Sequence, residues 1–380
     1  MAFNYLDHNA GTALAPNVLE AMLPYLRQQQ GNPSSSHRFG RFARAAIDTA
    51  RAQVARLVNV QPEQVWFTSG GTESNNQALN GIRHFHSDGH ILVSSIEHPA
   101  VLQPAYDLQR YGFQMAEIPV DGSGYITPAA LSEMLGADSR MVSVMWANNE
   151  TGVIQDISAL SQLTRQKGII FHTDAVQAAG KLALDFPASG VHLMSLSAHK
   201  FGGPKGIGAL IVDNQLDWPG YVLGGGQEND KRSGTENVAA IAGFGVAADY
   251  VRNQLESYQR HCLALRHQLE QGLKSLAGAT IFAEESERLP NTVFFSLAGF
   301  DADTLLMALD KYGFSVASGS ACGTGRQTPS HVLTAMGVEA NKALGAVRVS
   351  LGLENTAAQI SELLAILSRE SERFNHLLNR

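Results

Sequence analysis

IIFHTDAVQAAGKLALDFPASGVHLMSLSAHKFGGPKGIGALIV, residues 169–212, holds three short apolar runs, each ended by residues a core does not want. IIFHTD (169–174) ends on Asp174, LMSLS (193–197) leads into Ser197-Ala198-His199-Lys200, and IGALIV (207–212) closes the segment. Further runs of the same kind precede it: VWFT (65–68), ILVSSI (91–96) and RMVSVMW (140–146). Between the last of these and IIFHTD lies DISALSQLTRQKG, a helical pattern with Asp156 as N-cap and Gly168 as stop. Strand runs alternating with helical patterns predict an α/β layered fold with a mainly parallel sheet. In such sheets ligands sit beyond the carboxyl ends of the strands. Those ends read FTSGGTESNN, SSIEHPAV, MWANNETG, FHTDAVQ and SLSAHKFGGPKG, and polar or titratable residues collect at every one.

The rest of the chain bounds the reading. With 380 residues, 44% hydrophobic and 17% charged, it has length for about two domains and substantial cores. Lys plus Arg number 28 against 35 Asp plus Glu, a net charge of -7 that leaves no footprint for nucleic acid or an anionic membrane surface. The N-terminus MAFNYLDHNAGT has no basic and apolar leader pattern, and no apolar run reaches bilayer-spanning length, so a cytoplasmic protein is expected. After IGALIV a Gly-rich stretch, GYVLGGGQENDKRSGTEN, precedes the apolar helical pattern VAAIAGFGVAADYVRNQL. A second α/β unit begins near residue 256, with strands at TVFFSLA (292–298), FSVAS (314–318) and VRVSLGL (347–353) and a final helix from about 357. The expected division falls at 255/256.

The site candidates follow from chemistry. Ser69-Gly70-Gly71-Thr72 joins a strand to a helix and offers free N–H groups to a phosphate, without the spacing of a Walker loop. Lys200, at a strand end before Gly202-Gly203-Pro204, is placed to lose solvation and become a nucleophilic amine. Asp174 ends the preceding strand run. A carboxylate and a Schiff-base lysine are the two protein groups that pyridoxal phosphate most needs. At about 4 Å and an effective dielectric near 20, such a carboxylate contributes about 4 kcal/mol toward keeping the pyridine nitrogen protonated, roughly three pKa units. As an alternative, Asp174 caps a helix over AVQAAG. His98 in SIEHPAV can stack on a flat cofactor and move protons near neutral pH. Of the two cysteines, Cys262 recurs with Leu265, Leu269 and Leu273 at helical spacing and reads as core, whereas Cys322 in SGSACGTG has no periodic neighbours and is the reactive candidate. Two cysteines so far apart make neither a disulfide framework nor a metal site, and no metal is expected.

Eleven ordered motifs, YLDHNAGT, GNPSSSHRFGR, FTSGGTESNN, EHPAV, NNETG, HTDAVQ, SAHKFGGPKG, RSGTEN, SGSAC, PSHVL and VRVSLG, together resemble the cysteine desulfurases of the nitrogen-fixation and iron-sulfur type, in the class V aminotransferase group. The resemblance implies a pyridoxal 5'-phosphate enzyme of fold type I: a large domain of residues 15–255 with a mainly parallel mixed sheet flanked by helices, a smaller α/β C-terminal domain in which residues 1–14 join 256–380, and a homodimer with sites at its interface. It implies Lys200 as the lysine that carries the cofactor, Asp174 as partner of the pyridine nitrogen, Gln177 as donor to the phenolic oxygen, and His98 as stacked acid/base. Gly71, Thr72, Ser197 and His199 are implied to hold the phosphate, with Thr235 of RSGTEN reaching in from the other subunit. Asn149 and Arg348 are implied to hold the substrate carboxylate. L-cysteine would yield alanine, with its sulfur left on Cys322 as a persulfide and passed to an acceptor protein such as an iron-sulfur scaffold. A selenocysteine lyase or a cysteine or cystine β-lyase would share these cofactor residues. A non-catalytic sulfur carrier is the alternative of another class, and the joint presence of Lys200 and Asp174 speaks against it.

Overall fold

In the computed structural model, which describes residues 3–319 and 328–378, the three runs of the opening segment become neighbouring strands of one sheet. In chain order the strands are β1 (Asn4–Tyr5), β2 (Val65–Thr68), β3 (Gly89–Ser94), β4 (Phe113–Ile118), β5 (Ser139–Ser143), β6 (Ile170–Asp174) and β7 (Leu193–Ser197). They continue as β8 (Gly208–Val212), β9 (Ala279–Ile281), β10 (Thr292–Leu297), β11 (Phe314–Ser315), β12 (Ala317–Ser318) and β13 (Ala346–Ser350).

The large sheet has the order β2-β8-β7-β6-β5-β3-β4. Only β8 runs against its neighbours, so the other strands all deliver their carboxyl ends to one edge. Every residue of β7 and β8 is buried, which is why these strands read as unbroken apolar runs rather than as alternation. The edge strand β4 differs. FQMAEI buries Phe113 and Ile118 but exposes Gln114 and Glu117, a pattern too polar to stand out from sequence, and the strand was not anticipated.

A second, antiparallel sheet, β12-β13-β10-β9, carries its own core with Leu297, Leu305, Val349 and Ile360. Leu6, fully buried in that core, ties the N-terminal residues to it, and β1 pairs in parallel with β11. The run FSVAS is therefore two strands rather than one: Phe314–Ser315 faces β1, while Ala317–Ser318 pairs with β13. The expected division at 255/256 falls inside one continuous 37-residue helix, Val238–Lys274, capped by Asn237, whose side chain accepts from the Ala240 N–H. Its first half (Ala240, Ile241, Phe244, Ala247) belongs to the core beneath the large sheet, and its second half (Cys262, Leu265, Leu269, Leu273) to the core of the small one. The link between the two cores is thus a rigid helix and no loop. Among the described residues no helix is long and apolar enough to cross a membrane.

Candidate active site

Beyond the carboxyl ends of the parallel strands lies a cavity of about 420 Å³. Gly71, Thr72, His98, Asn149, Asp174, Gln177, Ser197, His199, Lys200 and Arg348 all line it, together with Asn9 and Asn75. Residues up to 339 positions apart in sequence meet here because β2, β3, β5, β6 and β7 end side by side, and because the N-terminal segment and β13 close the crevice from the second core. Thr235 of the same chain lines a separate cavity of about 260 Å³ with Ser69, Glu228 and Arg232, and Cys322 lies outside the described residues.

At one end, β2 turns into the helix Gly71–Asn80 through Gly70, whose φ of 154° and ψ of 178° only glycine adopts readily. A Cβ on Gly71 would come within 2.8 Å of Val176 Cγ2, so the backbone lies bare at the helix start, where N–H groups have no intrahelical partner. With Thr72, Ser197 and His199 beside it, this donor-rich cradle fits a phosphate. His199 Nδ1 lies 3.0 Å from Ser197 Oγ, and burial with Lys200 and Lys205 nearby pulls its pKa down to about 4, so the ring is neutral.

Asp174 is not the cap of a regular helix. Its Oδ1 accepts from the Val176 N–H at 2.9 Å, and its Oδ2 accepts from Asn75 Nδ2 at 2.7 Å. Asn75, from the SNN that follows the 69–72 turn, thus fixes the plane of this buried carboxylate. Lys200 Nζ donates to the carbonyls of Asn9 (2.7 Å) and Ala10 (3.1 Å). Burial, then the Arg348 charge, lower its pKa from 10.5 to about 8, while Asp174 and Asp7 partly restore it. About a tenth of the amine is therefore unprotonated at pH 7, against a negligible fraction for a free lysine.

His98 caps the helix Pro99–Asp107: its Nδ1 accepts from the Ala100 N–H at 3.0 Å, which places the proton of the neutral ring on Nε2. Burial lowers its pKa, with Lys200 and His331 adding to the effect and Asp174 opposing it. Arg348 is held by Asn149 O (2.9 Å from Nη1) and by Asp7 Oδ1 (2.6 Å from Nη2), leaving its buried Nε without a partner among the described residues. An unpaired N–H of a buried guanidinium in a ligand-sized cavity suits a carboxylate.

Several polar residues of the site had not been singled out. Glu97, fully buried next to His98, accepts from Ser94 Oγ at 2.6 Å and from the Met145 N–H at 2.5 Å, and burial pushes its pKa up to about 8. Glu150, following Asn149, accepts from Ser330 Oγ at 2.5 Å, and Oε2 lies 3.3 Å from where a Cβ of Gly319 would stand. It is therefore tied to the chain at Ser330 and lies close to Gly319. Asn9 and Lys181 complete the list. Asn9, after Asp7 and His8 in DHNAG, carried no signal of its own, and Lys181 stood out only as the one polar residue in AAGKLAL.

Comparison with known proteins gives one answer. Residues 4–363 match the family described as Aminotransferase class-V. The chain is 41% identical over 372 residues to the cysteine desulfurase IscS of Dictyoglomus turgidum, covering 97% of this chain and 94% of that protein. Among solved structures, a NifS-like protein superposes with a TM-score of 0.91 at 34% identity, covering 97% of this chain and 98% of that one. SspA in complex with cysteine superposes with a TM-score of 0.81 at 31% identity, covering 93% and 100%.

Proposed function

This chain belongs to the class V aminotransferase family and is a cysteine desulfurase; from that premise we propose that its crevice holds pyridoxal 5'-phosphate and that the residues lining it divide the reaction as follows. The observation that carries the proposal is the meeting of Asp174, Lys200 and the Gly71–Thr72 cradle in one cavity of about 420 Å³. When bound, the cofactor would supply an electron sink at the substrate's α-carbon.

Gly71, Thr72, Ser197 and His199 hold the phosphate, Asp174 holds a proton on the pyridine nitrogen, and Gln177 donates to the phenolic oxygen. Lys200 would hold the cofactor through Nζ and would serve as the base and acid for the proton at the substrate's α-carbon. His98, with its proton on Nε2, is the stacked acid/base. Arg348 binds the substrate carboxylate through its unpaired Nε, beside Asn149. Cys322 is the sulfur acceptor. Its thiolate attacks the substrate Sγ, a sulfur–sulfur bond forms as the Cβ–S bond breaks, and the electron pair of that bond stays with carbon, which takes a proton and leaves as alanine. Support for this comes from β12, which pairs Ala317 with Arg348 and so directs the chain into residues 320–327 from beside the crevice. We further propose a cytoplasmic homodimer in which Thr235 serves the partner subunit's phosphate, and an acceptor protein, such as an iron-sulfur scaffold, for the persulfide.

The test is product analysis with L-cysteine. Alanine with sulfur bound to Cys322, and loss of that sulfur in Cys322→Ser with the cofactor retained, is the expected result. Pyruvate and ammonia in place of alanine, or undiminished sulfide release from Cys322→Ser, would contradict it.

A further inference from the structure

Lys181 is 2% exposed and lies outside the crevice, yet it is joined to it. Its Nζ donates to Gln177 Oε1 and to Asn9 Oδ1, both at 2.7 Å. Gln177 Nε2 donates in turn to Asn9 O at 2.9 Å, the same carbonyl that receives Lys200 Nζ. These contacts decide an orientation. A backbone carbonyl accepts only, so the Gln177 atom facing Asn9 O is the NH2 group, and the oxygen left over must face Lys181. Asn9 is fixed by the same logic: its Oδ1 also accepts from Asn291 Nδ2 at 3.1 Å, while its Nδ2 donates to Asn149 O and Thr292 Oγ1.

Resting on the cofactor assignment above, we propose that Lys181 is a positioning residue: by occupying the oxygen of the Gln177 amide it keeps the second amide N–H of Gln177 turned to the crevice, as a donor for the cofactor's phenolic oxygen. Without Lys181, Gln177 Oε1 is a buried acceptor with no partner, and the side chain gains by leaving this pose. The placement of a lysine here is otherwise costly. Burial and then the charges of Lys200 and Arg348 push its pKa well below 10.5, with Cys262 opposing, and His8, Tyr258 and Glu354 lie around the same pocket. Among the described residues no carboxylate pairs with it, so its charge finds no ion-pair partner to offset the cost of burial.

The experiment measures the affinity of the apo protein for pyridoxal phosphate, by the visible absorbance of the bound cofactor, in the wild type, Lys181→Met, Gln177→Ala and the double variant. Lys181→Met is expected to weaken binding about tenfold, the scale set by one buried unpaired acceptor. In the Gln177→Ala background the same change should have little further effect, because Lys181 acts through Gln177. Binding by Lys181→Met as tight as wild type, or a loss of equal size in both backgrounds, overturns the proposal. Should Lys181→Met melt below the assay temperature, Lys181→Arg carries the test. Arginine is a donor only, and the cavity of about 80 Å³ beside Lys181 has room for it. It should stay within about threefold of wild type, and a fall to the level of Gln177→Ala overturns the role. Failure of the wild type to take up any cofactor would instead sink the cofactor assignment, and this proposal with it.

Discussion

The lowered pKa of Lys200 is the property most open to direct measurement. A fall from 10.5 to about 8 multiplies the unprotonated amine at pH 7 by roughly 300 and corresponds to about 3 kcal/mol. Competitive acylation of the apo protein between pH 6 and 11, followed by mass spectrometry of the peptide containing Lys200, reads this fraction without involving the cofactor. Half-reaction near pH 8 is expected for the wild type. Arg348→Met removes the largest charge that lowers Lys200, so the midpoint should rise; Asp174→Asn removes the largest that raises it, so the midpoint should fall. The sign for stability follows the same group. Between about pH 8 and 10.5 the folded chain binds fewer protons at Lys200 than the unfolded chain, so this residue makes stability rise with pH across that window. The stability of Lys200→Met relative to wild type should accordingly decline by about 3 kcal/mol from pH 7 to above 10.5. A Lys200 midpoint at 10 or higher, or shifts of one sign in both variants, would refute the reasoning.

Asp174→Asn should lower the rate of alanine formation by roughly three orders of magnitude and stability by about 1–3 kcal/mol, since an amide cannot accept from both Asn75 and Val176; kinetics and urea unfolding check the two effects separately. Gly71→Ala should weaken pyridoxal phosphate binding, because its methyl meets Val176 Cγ2 at 2.8 Å and displaces the bare helix start that would hold the phosphate; titration of the apo protein measures it. Leu6→Ala should cost about 2–5 kcal/mol in denaturant unfolding by opening a cavity in the second core.

Much of this site was legible because a parallel sheet concentrates chemistry at strand ends. Asp174 and Lys200 could be placed together from two apolar runs and the residues that stop them, and the glycines of the 69–72 turn marked the bare helix start at the other end of the cavity. What was not legible depends on pairings between distant segments. Asn75 matters because it reaches Asp174, Lys181 because it reaches Gln177 and Asn9, and Glu150 because it holds Ser330; no periodicity reports such contacts. The long helix was read in two pieces for a related reason. Its first half is buried on most sides and its second on one stripe, so the hydrophobic pattern changes partway along an unbroken element. The edge strand β4 was lost to its polar outer face.

The central claim is that one lysine, facing Asp174, carries the cofactor. Borohydride reduction of the yellow protein, followed by peptide mapping, tests it most directly. The account predicts a single stable pyridoxyl label on Lys200 and none in Lys200→Ala; a label on Lys181 or any other lysine, or no label on a protein saturated with cofactor, would contradict it.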